Sequence, residues 1–183
     1  MRGITLLELL VVLALLGVLT AMSAAALGPM TRRYRISQGA EQVSQAVYLA
    51  RALSRETSRC HLVEVLDAAG NVLAPGGAGS IVRVRRRATA DCETAIVEPP
   101  VSPLLTEVER VRLPTGVSVK LSFLPAGPAR PEVMWRPNGR LTTNTNSARF
   151  TLASTVAAST TSVVQVDPQG AICVDPSPPG ACL

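Results

Sequence analysis

Aromatic residues are almost missing from this 183-residue chain: one Trp, two Tyr and two Phe, 3% in all. With 47% hydrophobic residues the core must be built from Val, Leu and Ala. Aromatic platforms on which single-stranded nucleic acid could stack are scarce for the same reason. There is one histidine, His61, and no Cys-x-x-Cys pair, which excludes the familiar zinc-ligand spacings. No nucleophile elbow is present. A lone His61 at the start of a strand reads as a helix-end or strand-edge residue rather than a catalytic one. Glu107 and Glu109 stand two apart on a strand and share a face, as edge-strand charges commonly do. The reading is of a non-enzymatic chain with no cofactor and no metal.

Charge is missing from one place in particular. Between Leu9 and Thr31 no side chain is ionisable, and from Leu9 to Leu19 none is even polar. At ~1.5 Å per helical residue the uncharged stretch spans roughly 35 Å, enough for a hydrocarbon layer of ~30 Å. A secretory signal peptide, with Arg2 as its basic start and Ala24-Ala25-Ala26 as its cleavage site, would have this outline. So would a plain signal anchor. Glu8 argues against both, because each needs an unbroken apolar run directly after the basic start. A carboxylate at the head of such a run costs several kcal/mol unless a positive charge neutralises it, and residues of this kind are functional by default.

The segment Gly3-Ile4-Thr5-Leu6-Leu7-Glu8-Leu9-Leu10-Val11-Val12-Leu13 resembles the precursor signature of type IV pilins and the pseudopilins of type II secretion. In that superfamily a short basic leader ends in Gly and the fifth mature residue is Glu. The resemblance implies a leader over 1–3, cleavage by prepilin peptidase between Gly3 and Ile4, N-methylation of Ile4, and Glu8 as an assembly contact. The first mature position is Ile here, where the family most often has Phe or Met. In the family the glutamate meets the terminal amine of a neighbouring subunit, and two charges desolvated together cost less than either buried alone. Implied partners are other pilins or pseudopilins, the prepilin peptidase/methyltransferase and an inner-membrane assembly platform.

The net charge of +5 is a modest excess and does not indicate nucleic acid by itself. Arg2 on the short side of a single-pass helix places the N-terminus in the cytoplasm and the remainder in the periplasm. Cys60, Cys92, Cys173 and Cys182 suit that oxidising space. Four cysteines allow three connectivities. Cys60–Cys92 and Cys173–Cys182 are the favoured pairs, with free buried thiols the alternative for Cys60 and Cys92.

After the membrane segment (4–28), Gly28-Pro29 should kink or loosen the helix. An amphipathic continuation follows over 29–60, with Ile36, Ala40, Val43, Val47 and Ala50 on one face and an end near Arg59. Residues 61–183 read as a β-rich domain. The expected strands are His61–Leu66, Val72-Leu73, Ile81–Arg85, Val108–Leu113, Val117–Phe123, Val133–Trp135, Ala148–Leu152 and Ser162–Val166, with a hairpin through Asp167-Pro168-Gln169-Gly170 into Ala171–Val174. Pro99-Pro100 and Pro103 interrupt any regular element between them.

One long helix followed by many short antiparallel strands is an α+β fold with the helix packed on a sheet. Ala50–Arg55, Trp135-Arg136-Pro137-Asn138-Gly139-Arg140 and Val164–Gly170 are similar to the corresponding junctions of the GspH and FimT group. That resemblance implies a minor pilin or pseudopilin that helps initiate or cap a filament. A DNA-binding minor pilin is the alternative: Arg83, Arg85 and Arg87 fall on one strand face with Arg86 opposite, a basic patch able to track phosphates. The Gly-Arg-x-Arg motif tied to that activity is not matched by Gly180-Ala181-Cys182-Leu183 or by Gly139-Arg140-Leu141-Thr142, so nucleic acid is the weaker reading and the patch reads as a solvated edge or a subunit contact. A membrane-anchored periplasmic domain unrelated to filaments is the third.

Overall fold

The computed structural model describes residues 6–74, 76–88, 92, 105–124, 132–142, 146–156 and 160–175, with the backbone alone for 21–26. The chain divides into two compact units, Met1–Tyr34 and Arg35–Leu183.

Helix α1 runs Leu6–Glu56. It passes through Pro29, where Thr31 Oγ1 and Arg32 Nε donate to the Gly28 carbonyl at 3.0 and 3.1 Å. The helix ends three residues before the expected Arg59. Ser58 takes a positive φ of 52° there, a left-handed step of the kind that terminates helices.

Among the described residues nine strands follow: β1 His61–Leu66, β2 Ala78–Gly79, β3 Ile81–Arg87, β4 Leu105–Arg112, β5 Val117–Leu124, β6 Glu132–Trp135, β7 Ser147–Ser154, β8 Thr161–Val166 and β9 Ile172–Val174. They form two antiparallel sheets, ordered β4-β3-β1-β6 and β2-β5-β7-β8-β9. Val72, expected in a strand, makes only an isolated bridge to Leu66. The turn Asp167–Gly170 forms as expected, with the Asp167 carboxylate accepting from the Ala171 amide at 2.7 Å. Gly170 has φ +92°, and a side chain there would meet the Gly139 carbonyl and the Trp135 ring. Pro99, Pro100 and Pro103 lie outside the described residues.

The helix face read from the sequence is the core. Ile36, Ala40, Val43, Val47 and Ala50 are all buried, joined by Ala46. They pack with Val63, Val65, Val82, Val84, Val133 and Trp135 from the first sheet and Val119, Leu121, Phe150, Leu152, Val164 and Val166 from the second. With few aromatics, β-branched side chains do the filling, and their stiff χ1 suits the pleated surface.

Candidate functional site

Three places carry chemistry: the head of α1, the outer face of the first sheet, and the start of β1. At the head of α1 the side chains from Leu6 to Thr20 are exposed on every side. Leu6 is 79% exposed and Leu13 58%. Glu8 is exposed among them. Thr20, the first uncharged polar residue after the run, turns its hydroxyl onto the Leu16 and Gly17 carbonyls, which removes the one polar group from the helix surface there. Among the described residues no helix is long and apolar enough to cross a membrane. Gly3 and Ile4, the expected cleavage and methylation residues, lie outside the described residues.

The first sheet has two faces because strand side chains alternate. Val63, Val65, Val82 and Val84 face the helix. Leu62, Glu64 and Leu66 face outward, beside Arg85, Arg83 and Ile81 in the β1–β3 register. This outer face is not a basic surface. Arg83, Arg85 and Arg87 are 9%, 7% and 3% exposed, so the exposed patch expected from the sequence is corrected to an internal ion-pair network. Glu64, itself 6% exposed, accepts from Arg83 Nε at 2.9 Å and Arg83 Nη2 at 2.7 Å. It also accepts from Arg85 Nη1 at 3.5 Å. Glu107 on β4 lies 3.9 Å from Arg83 and is bonded to Arg110 at 2.7 and 2.9 Å; those bonds to Arg110 hold its carboxyl below the usual range. Arg86 points to the opposite face and is half-buried. Arg83 and Arg85 turn to the Glu64 carboxylate, and with Arg87 they are buried, so none of the three presents an open basic surface to a phosphate.

The same outer face carries a second, small core: Cys60, Leu62, Cys92 and Met134, with Leu105 against it. Cys60 and Cys92 form a disulfide, Cα–Cα 5.7 Å, which fixes Cys92 against the first residue before β1. Cys173 is disulfide-bonded too; Cys182 lies outside the described residues.

His61 is buried rather than at a strand edge, 1% exposed. Its Nδ1 lies 3.2 Å from the Arg59 carbonyl, an acceptor for a proton on that nitrogen. Burial lowers its pKa, with the Arg86 charge adding to the effect. Among the described residues no carboxylate or nucleophile is bonded to this buried imidazole, and it packs as a core residue. Among the described residues no three His, Cys, Asp or Glu side chains are grouped to hold a metal ion.

Residues 1–24 match the prokaryotic N-terminal methylation motif. Comparison with curated proteins found no match. Among solved structures the chain is similar to the type IV minor pilin FimU of Pseudomonas aeruginosa strain PAO1, with a TM-score of 0.54 at 15% identity, covering 85% of this chain and all of that one. The chain shares its fold with that minor pilin and carries an N-terminal methylation motif. A weaker likeness links it to the minor pseudopilin EpsH from the Type 2 Secretion System of Vibrio cholerae, with a TM-score of 0.49 and 11% identity, over 76% of this chain and 95% of that one.

Within this pilin-like chain, sequence reasoning missed Glu64. Its signal was present: a lone acid between Leu62 and Leu66 on one face of a strand whose neighbour carries arginines at alternate positions. The register that aligns Glu64 with Arg83 was not readable from spacing alone.

Proposed function

We propose that this chain is a minor pilin or pseudopilin of the GspH and FimT group, a non-enzymatic subunit that helps initiate or cap a type IV pilus or a type II secretion pseudopilus. The observation that carries the reading is the pairing, in one chain, of an N-terminal methylation motif over residues 1–24 with a pilin-like fold. Prepilin peptidase cuts after Gly3, Ile4 becomes the methylated terminus, and the helix holds the protein in the inner membrane with the β-rich domain in the periplasm. Other pilins and the assembly platform are its partners.

The physics of the helix head supports this. Eleven Leu and Val side chains between Leu6 and Leu19 are each at least half exposed. Covering them with lipid or neighbouring helices is favourable by on the order of 10 kcal/mol. Such a driving force has no direction along the helix, so apolar packing alone does not set an axial register. A carboxylate does, since Glu8 is neutralised only where a neighbour's terminal amine comes level with it.

The test is incorporation. In cells that hold the partner subunits, the wild-type chain is expected in the sheared filament fraction. Glu8→Ala should stay in the membrane and fall at least tenfold in that fraction. Equal incorporation of the two would remove the pairing role, and absence of the wild-type chain from any filament would remove the function.

A further inference from the structure

Strand β4 is the long open edge of the first sheet. Its inner side pairs with β3 from Leu105 to Arg112. Among the described residues no strand pairs with its outer side. The other terminal strands are shorter: β6 has four residues, β9 three and β2 two. Proteins shield an edge of this length with charged side chains, proline, bulges or a covering element; β4 has no proline and carries Glu107, Glu109, Arg110 and Arg112. It also carries a bulge at Val108, where the register with β3 shifts, which leaves Glu109–Arg112 as the regular stretch.

A groove of about 380 Å³ lies between this edge and α1, lined by Gln42, Gln45, Ala46, Leu49, Glu109 and Val111. In the β3–β4 register Glu109 and Val111 stand opposite Val84 and Val82, so both project on the helix side. Glu107 and Arg110 hold each other on the other side. Glu109 has no such partner among the described residues.

We propose that β4 is a docking edge for an extended segment of a different polypeptide, one with an apolar side chain two positions before a Lys or Arg. An antiparallel strand laid along Glu109–Arg112 pairs its backbone with the open edge. The residue facing Val111 drops into the groove over Ala46 and Leu49, and the residue facing Glu109 meets a carboxylate. A second copy of this chain does not fit. Antiparallel self-pairing that keeps both helices on one side sets Glu109 against Glu109, Arg110 against Arg110, or Arg110 against Arg112, and like charges directly opposite are destabilising. The inference stands on the sheet edge and is independent of filament assembly.

The experiment is hydrogen–deuterium exchange on the full chain in detergent micelles, with the peptide Thr-Val-Thr-Lys-Thr-Val-Thr and its counterpart carrying Glu in place of Lys. The Lys peptide is expected to protect amides within β4 at about tenfold lower concentration than the Glu peptide, and Glu109→Lys to reverse the order. Glu109 is exposed, and unchanged exchange in β5, β7 and β8 establishes that the variant folds. No protection of β4 by either peptide, equal protection by both, or an order unchanged in Glu109→Lys would overturn the proposal. Protection of β4 that grows with protein concentration and no peptide would overturn it as well, by giving the edge to a second copy.

Discussion

Leu6, at the head of the helix, is 79% exposed, and Arg87, in the first sheet, is 3% exposed. The two regions break the usual sorting of residues in opposite senses. Along Leu6–Thr20 the apolar side chains are exposed. On the outer face of the first sheet the chain takes a glutamate and three arginines inside. On the proposed function, the first arrangement is completed by other molecules. In the second, Glu64 meets Arg83 in register on the next strand and reaches Arg85 as well. On that reading, exposed apolar groups are where this protein meets others, and the buried ion pairs belong to its own fold.

The contrast can be broken at either end. The largest effect is expected at the closed network. Glu64→Gln removes the carboxylate charge facing Arg83 and Arg85, and losing one partner of a buried pair costs about 3–5 kcal/mol. Urea unfolding of the full chain in detergent, followed by circular dichroism of the sheets, measures it. A loss below 1 kcal/mol would mean the network is wetter than its burial implies.

Next comes one substitution made in both regions. Leu152→Ala, at a fully buried site, should cost about 2–5 kcal/mol. Leu13→Ala, at a site 58% exposed, should change the unfolding of the β-rich domain by less than about 0.5 kcal/mol. Equal costs would erase the distinction.

A smaller effect comes from His61. Its folded pKa lies below the unfolded value of 6.5, so the unfolded chain takes up the proton first. The stability due to the neutral ring is therefore whole above about pH 6.5. It falls as acid is added, at no more than about 1.4 kcal/mol per pH unit, and levels off below the folded value. His61→Gln should flatten that part of the stability–pH curve. An unchanged slope would assign the acid sensitivity elsewhere.

The smallest effect is expected at the rim of the network. Glu107 and Arg110 have side chains 41% and 45% exposed, and solvent screens pairs of that kind. Glu107→Gln should shift the urea midpoint least of these variants, and the shift should vanish in high salt.

Much of the architecture is legible in the sequence because periodicity reports burial directly. The spacing of Ile36, Ala40, Val43, Val47 and Ala50 marks the face that the helix buries, and the composition of Asp167–Gly170 marks its hairpin. The bond between Cys60 and Cys92 is the favoured pair, but four cysteines leave three connectivities open in the sequence. What periodicity does not report is the pairing of strands. Arg83, Arg85 and Arg87 were rightly placed on one face, but whether that face is wet depends on β1 lying beside β3 with Glu64 against Arg83. His61 hides for a related reason. It opens a strand, where exposure is common, and the register that sets it beside Trp135 on β6 is not readable from spacing. At the helix head the reverse holds: the motif around Glu8 is plain in the sequence, while the purpose proposed for it lies in molecules outside this chain.

The helix head carries the central claim, and its chemistry at Gly3 and Ile4 tests it most directly. The measurement is the intact mass of the chain purified from cells that express prepilin peptidase. The account predicts loss of Met1-Arg2-Gly3 and gain of one methyl group on Ile4, both absent when the peptidase is absent. A chain that still begins at Met1 in the presence of the active peptidase would contradict it.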